Sequence, residues 1–128
     1  MTSLPTTHAA LYNQYAHRLH DLDQGGSIIA EYVWIDGSGI TLRAKCRTLT
    51  KKIESLADIP EWNYDGSSTY QAVTDQSEII LKPVAYFRDP FRLGDNILVL
   101  CECWGWEDNT CKKLVPANTN FRHFANKV

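Results

Sequence analysis

Four groups of side chains in this sequence have types and spacings that could do chemistry. The cysteines stand at 46, 101, 103 and 111. Cys101 and Cys103 are two apart in a predicted strand, so they share a face and are poorly placed to bond each other. A zinc site wants Cys pairs at ligand spacing with further Cys or His partners, and the nearest histidine to this Cys-x-Cys is His123. Packed or idle thiols in a reducing cytosol are the simpler account. His17 and His20 lie one helical turn apart without a carboxylate cluster, which suits a solvated helix face. Arg43, Lys45 and Arg47 alternate along a predicted strand and would make a phosphate or nucleic-acid stripe; the plainer account is the solvated face of a half-buried sheet. The fourth group is Asp65-Gly66-Ser67-Ser68. Asp bonds its own backbone two residues on, Gly reaches positive φ and Ser tolerates exposure, so on spacing alone this is a turn. No P-loop, G-x-G-x-x-G, H-E-x-x-H or G-x-S-x-G pattern accompanies it.

The elements that must position these groups read as one small α+β domain. The chain has 128 residues, 44% hydrophobic and 22% charged, which fits one compact domain and excludes collagen, coiled coil and wholesale disorder. A net charge of −2 argues against a dedicated nucleic-acid binder. The opening residues lack a basic start and an apolar run, and apolar stretches such as 97–101 are too short to span a bilayer, so the expectation is no leader, no membrane and a cytoplasmic chain. Leu11, Tyr12, Tyr15, Leu19 and Leu22 form one apolar helical stripe that Thr6 or Thr7 would cap and Gly25-Gly26 would end. Residues 28–35 then read as a strand running into Asp36-Gly37-Ser38-Gly39, a hairpin signal. The returning strand puts Leu42, Ala44 and Cys46 on one face. Residues 53–59 hold a helical turn at most. Residues 63–77 are polar and aperiodic, the length of a functional loop. Strand character returns at 78–81, with Pro83 after it, and residues 89–96 read as turns. Residues 97–104 make the most apolar strand, expected at the sheet's centre. Glu107-Asp108-Asn109 looks like a hairpin tip, and Asn118 or Thr119 would cap a helix near the end.

The residues also carry a resemblance. Tyr64-Asp65-Gly66-Ser67-Ser68, followed by Gln76-Ser77-Glu78-Ile79-Ile80-Leu81, resembles the N-terminal signature of glutamine synthetase. Ala30-Glu31-Tyr32-Val33-Trp34-Ile35-Asp36-Gly37 is similar to the opening strand of the eukaryotic-type enzyme. So are Pro60-Glu61-Trp62-Asn63-Tyr64, Leu81-Lys82-Pro83-Val84-Ala85-Tyr86, Asp89-Pro90-Phe91-Arg92 with Gly94-Asp95-Asn96, and Asn120-Phe121-Arg122-His123. These blocks run in order from about Leu22 to Val128 and look most like the fungal type.

The resemblance implies a β-grasp mixed sheet over 25–115, an N-terminal helical extension over 1–24, and the truncated start of a linker helix, 116–128, leading to a missing catalytic domain. In the family ATP phosphorylates the γ-carboxylate of glutamate and ammonia displaces the phosphate, at sites shared between subunits of a ring. Carried over by position, Asp65 would hold ammonium and take its proton. Ser68 would lie beside it, while Gly66 and Ser67 would shape the loop. Ammonium has a pKa of roughly 9–10, so at neutral pH it is a cation without a lone pair, and a fixed carboxylate suits both its capture and its deprotonation. Trp62 and Tyr64 would orient the loop, face a neighbour or pack in the core. The Glu-x-Glu strand, the other metal ligands and the nucleotide-binding and glutamate-binding arginines of the family are absent, and Arg122 and His123 are not ligands. No cofactor is therefore expected in this chain; ATP with Mg or Mn belongs to the catalytic domain. Tyr70, Trp104-Gly105-Trp106 and Cys111-Lys112-Lys113 depart from the family pattern. Expected partners are other glutamine synthetase subunits, with ammonium and glutamate at the shared site. The alternative is a stand-alone β-grasp module that associates with and modulates full-length rings, and a weaker one is a decayed paralogue.

Overall fold

Residues rich in Val, Ile and aromatics pair into one sheet. The computed structural model describes residues 15, 22–69, 78–107 and 113–127. Its strands are β1 (Ile28–Ile35), β2 (Leu42–Leu49), β3 (Trp62–Asp65), β4 (Glu78–Arg88), β5 (Ile97–Trp106) and β6 (Leu114–Pro116). The order is β2-β1-β5-β4-β3, with β6 also on β5. The β1–β5 pair is parallel and the others are antiparallel, so the sheet is mixed. Two 3-10 turns, Leu56–Asp58 and Gly66–Thr69, and one short helix, α1 (Phe121–Ala125), complete it. An α+β architecture with few helices is thus observed. The helix expected before Gly25 lies outside the described residues except Tyr15, which is helical. The expected Glu107-Asp108-Asn109 tip and Cys111 also fall outside, save Glu107. No helix among the described residues is long and apolar enough to cross a membrane.

The sheet curls around one face, and the core fills the curl. Ala30, Tyr32 and Trp34 of β1, Ile79 and Leu81 of β4, and Ile97, Val99, Cys101 and Cys103 of β5 are all buried there. Full burial of a side chain such as Leu81 stabilises by roughly 1.5–3 kcal/mol. The Tyr32 hydroxyl, inside this core, donates to the Pro60 carbonyl at 2.7 Å. β5 lies between β1 and β4, the central place its apolar sequence predicts.

The curl overturns the reading of β2. Arg43, Lys45 and Arg47 face inward and are half-buried, while Leu42, Ala44 and Cys46 are exposed. Register explains it: Trp34 pairs Arg43, Tyr32 pairs Lys45 and Ala30 pairs Arg47, so the basic row continues the aromatic face of β1. Long basic stems pack along apolar surface while their heads reach polar partners at the rim. Arg43 Nε donates to Asp36 Oδ2 at 3.2 Å, and Lys45 Nζ lies 3.6 Å from the centre of the Trp62 ring.

Buried polar side chains fold the turns. Asp36 Oδ1 accepts from the amide and hydroxyl of Ser38 in the β1–β2 hairpin, and the Ser38 hydroxyl is the leading cause holding this carboxyl below its ordinary pKa. Asn120 caps α1 by accepting from the His123 amide at 3.1 Å, and its Nδ2 donates to the Cys103 carbonyl at 3.2 Å. The cap is therefore Asn120 and not the expected Asn118 or Thr119. β4 runs on through Pro83 to Arg88, farther than residues 78–81, because the register shifts between Pro83 and Ala85 and takes up the missing N–H.

Candidate functional site

Asp65 ends β3, an edge strand of four residues paired with β4 alone. Along β3 the side chains alternate, so Trp62 and Tyr64 enter the curl and Asn63 and Asp65 point to its outer side. Tyr64 stacks on Trp34 with centroids 4.5 Å apart, and its hydroxyl lies 3.5 Å from Cys103 Sγ. Trp62 meets Tyr32 edge-on at 5.2 Å, with Lys45 and Arg47 over its ring. Core packing accounts for both aromatics, and through them β3 is fastened to the barrel-like interior.

The exposed Asp65 carboxylate makes the turn that sequence chemistry predicts. Its Oδ1 accepts from the Ser67 amide at 2.9 Å and from the Ser67 hydroxyl at 2.8 Å. Gly66 is buried beneath, and Gly66–Thr69 closes as a 3-10 turn. The structure therefore brings Asp65, Gly66 and Ser67 into one turn. Ser68 belongs to the same turn by its backbone; the contact expected of its side chain lies outside the described residues.

Around this turn stands a polar ladder. Glu78 is opposite Asp65 in the β3–β4 register, hence on the same outer side. Its Oε1 accepts from Asn63 Nδ2 at 2.7 Å and its Oε2 from Trp106 Nε1 at 3.4 Å. From the inner side Lys45 Nζ donates to the Asn63 carbonyl. Burial, then the neighbouring Arg47, lowers the Lys45 pKa below its ordinary value. Asn63, Glu78, Trp106 and Lys45 were missed by motif reasoning. The polar, aperiodic sequence of 63–77 reads as a loop, yet Trp62–Asp65 is a strand, and only its pairing with β4 sets Asp65 opposite Glu78.

Other chemistry-bearing groups stay apart from this turn. Arg122 Nη1 donates to Glu102 Oε1 at 3.0 Å and His123 meets Trp104 edge-on at 4.9 Å, so both fasten α1 to the outer face of β5. Cys46, Cys101 and Cys103 are free thiols, and burial pushes Cys101 up to about 12. Among the described residues no group of three or more His, Cys, Asp or Glu side chains is placed to hold a metal ion. What the arrangement can do is present an exposed carboxylate, held by Ser67, from the edge of the sheet.

Comparison with known proteins gives that turn a context. No family model matches the chain. Glutamine synthetase of Kluyveromyces lactis is 57% identical over 108 residues, 84% of this chain and 27% of the relative. That of Saccharomyces cerevisiae is 55% identical over 115 residues, 90% of this chain and 29% of the relative. The chain matches glutamine synthetases. The cytosolic isozyme 1-2 of the rice glutamine synthetases is 51% identical over 106 residues, 83% of this chain and 28% of the relative. The chain spans under a third of the length of the glutamine synthetases it matches.

Proposed function

We propose that this chain is the N-terminal β-grasp part of a cytoplasmic glutamine synthetase subunit and that it supplies the ammonium-binding Asp65 loop to a neighbouring subunit's active site. In this reading residues 25–115 are the β-grasp domain, 1–24 a helical extension and 116–128 the start of the link into a catalytic domain. The observation that carries it is the Asp65 turn: an exposed carboxylate fixed by the Ser67 amide and hydroxyl, at a sheet edge of a chain that is 51–57% identical to glutamine synthetases over 106–108 residues.

ATP and divalent metal belong to the catalytic domain, where they activate the γ-carboxylate of glutamate. The residues of this chain do two things. The Asp65 carboxylate draws ammonium to a fixed point, since a unit charge at contact distance is worth most where water is excluded. It then accepts one proton from ammonium, which frees the nitrogen lone pair to attack the phosphorylated γ-carboxyl, the C–N bond of glutamine forming as the C–O bond to the departing phosphate breaks. Ser67 holds one carboxylate oxygen, and Ser68 lies beside the bound ammonium. Alone, the chain is inactive, because the metal-holding acids and the nucleotide-binding arginines are elsewhere.

The test is a chimera in which residues 22–127 replace the matched segment of the Kluyveromyces lactis enzyme. Asp65→Asn keeps an Oδ1 acceptor for Ser67, so the turn survives while charge and basicity go. Turnover should fall by about 10²–10⁴-fold, the usual share of a positioned proton acceptor, with glutamate KM little changed. Unchanged turnover would remove Asp65 from the mechanism. A second reading, a free module that docks on complete rings, is favoured by the exposed Leu42, Phe87, Leu100, Phe121 and Phe124. Excess free chain should then alter the rate or ring size of a complete enzyme, and no change rules the module out.

A further inference from the structure

The Asp65 turn hangs from a strand that Trp62 and Tyr64 fasten on the inner side and that is open to solvent on the outer side. β3 has four residues, pairs on one side only and lies at the sheet's edge. Short edge strands open at low cost, and a carboxylate two residues beyond a fraying point would not hold a fixed place. Asn63 is where that tendency is opposed. Its carbonyl accepts from Lys45 Nζ of β2, across the mouth of the curl. Its side-chain amide donates to Glu78 Oε1 of β4 at 2.7 Å. The other oxygen of Glu78 accepts from Trp106 Nε1 of β5 at 3.4 Å, so the grip runs on into the central strand.

We infer that Asn63 is the positioning residue of the Asp65 turn, held on its backbone by Lys45 and on its side chain by Glu78, so that three strands fix the carboxylate through one residue. The value of that fixity for ammonium rests on the reading of Asp65 above; the fixity itself does not. Each contact is exposed, and an isolated exposed polar contact contributes little to global stability. Positioning and bulk stability therefore separate cleanly here. Lys45 Nζ also lies over the Trp62 ring, which ties a second residue of β3 from the inner side.

Amide hydrogen exchange of the 128-residue chain tests this. The Ser67 amide, which donates to Asp65 Oδ1, reports the turn, and the Val99 amide in the buried centre of β5 reports the global fold. Asn63→Ala and Lys45→Met should each speed Ser67 exchange at least tenfold with Val99 unchanged. Unaltered Ser67 exchange, or Ser67 and Val99 rising together, overturns the inference. In the chimera Asn63→Ala should raise the ammonium KM more than it lowers kcat; a fall in kcat alone also counts against it. If Asp65→Asn leaves turnover intact, the ammonium reading falls, while the exchange data still decide the role of Asn63.

Discussion

Replacing Asp89 by Asn should destabilise the fold by about 2 kcal/mol at neutral pH and far less in acid. This carboxylate is buried under the β4–β5 turn. Its Oδ1 accepts from the amides of Phe91 and Arg92 at 2.8 and 3.1 Å, and its Oδ2 from Arg92 Nη1 at 2.8 Å. Asn keeps the Oδ1 bonds, loses the charged one and turns a donor toward the guanidinium. A hydrogen bond to a charged group contributes roughly 1.5–3 kcal/mol. Arg92 is 37% exposed and keeps Glu31 Oε2 at 2.8 Å, which sets the loss in the lower half of that range. With urea slopes of about 1–3 kcal/mol per M, the midpoint should fall by roughly 1 M. Burial pushes the Asp89 carboxyl up, but the Arg92 side chain and the two amides outweigh it and hold the pKa below the ordinary value. A carboxyl depressed in the folded state stabilises above its unfolded pKa, about 3.9, and that stability is lost as pH falls through the folded value. The difference between wild type and variant should thus be full at pH 7 and shrink once the pH falls below the unfolded carboxyl value, about 3.9. Equal differences at pH 7 and below that value, or none at pH 7, would refute the reasoning.

The cysteines should separate by reactivity: an alkylating reagent at neutral pH should label exposed Cys46 and reach Cys101 only on unfolding, read by peptide mass spectrometry, because burial pushes the Cys101 thiol up to about 12. That raised value stabilises fully below the unfolded thiol pKa, about 8.5, and the benefit is lost as pH climbs toward the folded one, with a slope of up to about 1.4 kcal/mol per pH unit in denaturant titrations. Gly39→Ala should lower stability by about 1–2 kcal/mol, measured by thermal melting, because Gly39 has φ +75° and a Cβ there would sit 3.2 Å from Phe121 Cζ.

Local chemistry made much of this fold legible in advance. The Asp36–Gly39 hairpin, the central apolar strand from Ile97 and the Asp65 turn each follow from residues adjacent in sequence. What was not legible depends on which strand lies beside which. Alternation along β2 separates Arg43, Lys45 and Arg47 from Leu42, Ala44 and Cys46, but it does not say which row meets the core; pairing with Tyr32 and Trp34 decides that. The side-chain ladder of Asn63, Glu78 and Trp106 spans three strands, so it exists only once register is set. Pro83 misled because a bulge can carry a strand past a proline.

The inversion of β2 bears on how Asp65 could be used. With the basic row turned inward, the outer side of the sheet carries Leu42, Phe87 and Leu100, all more than a third exposed, beside Phe121 and Phe124 of α1. Period-2 alternation and the β3–β4 register put Asp65 and Glu78 on that same outer side. On the concave side Tyr32, Trp34 and Leu81 are buried in the core. Among the described residues, the side of the sheet that carries Asp65 is also the side on which apolar side chains are left uncovered. Under the shared-site reading, covering those side chains and presenting the carboxylate are one docking event. Loss of Leu42 or Leu100 would then weaken the assembly without touching the turn, whereas loss of Asn63 would loosen the turn without touching the assembly.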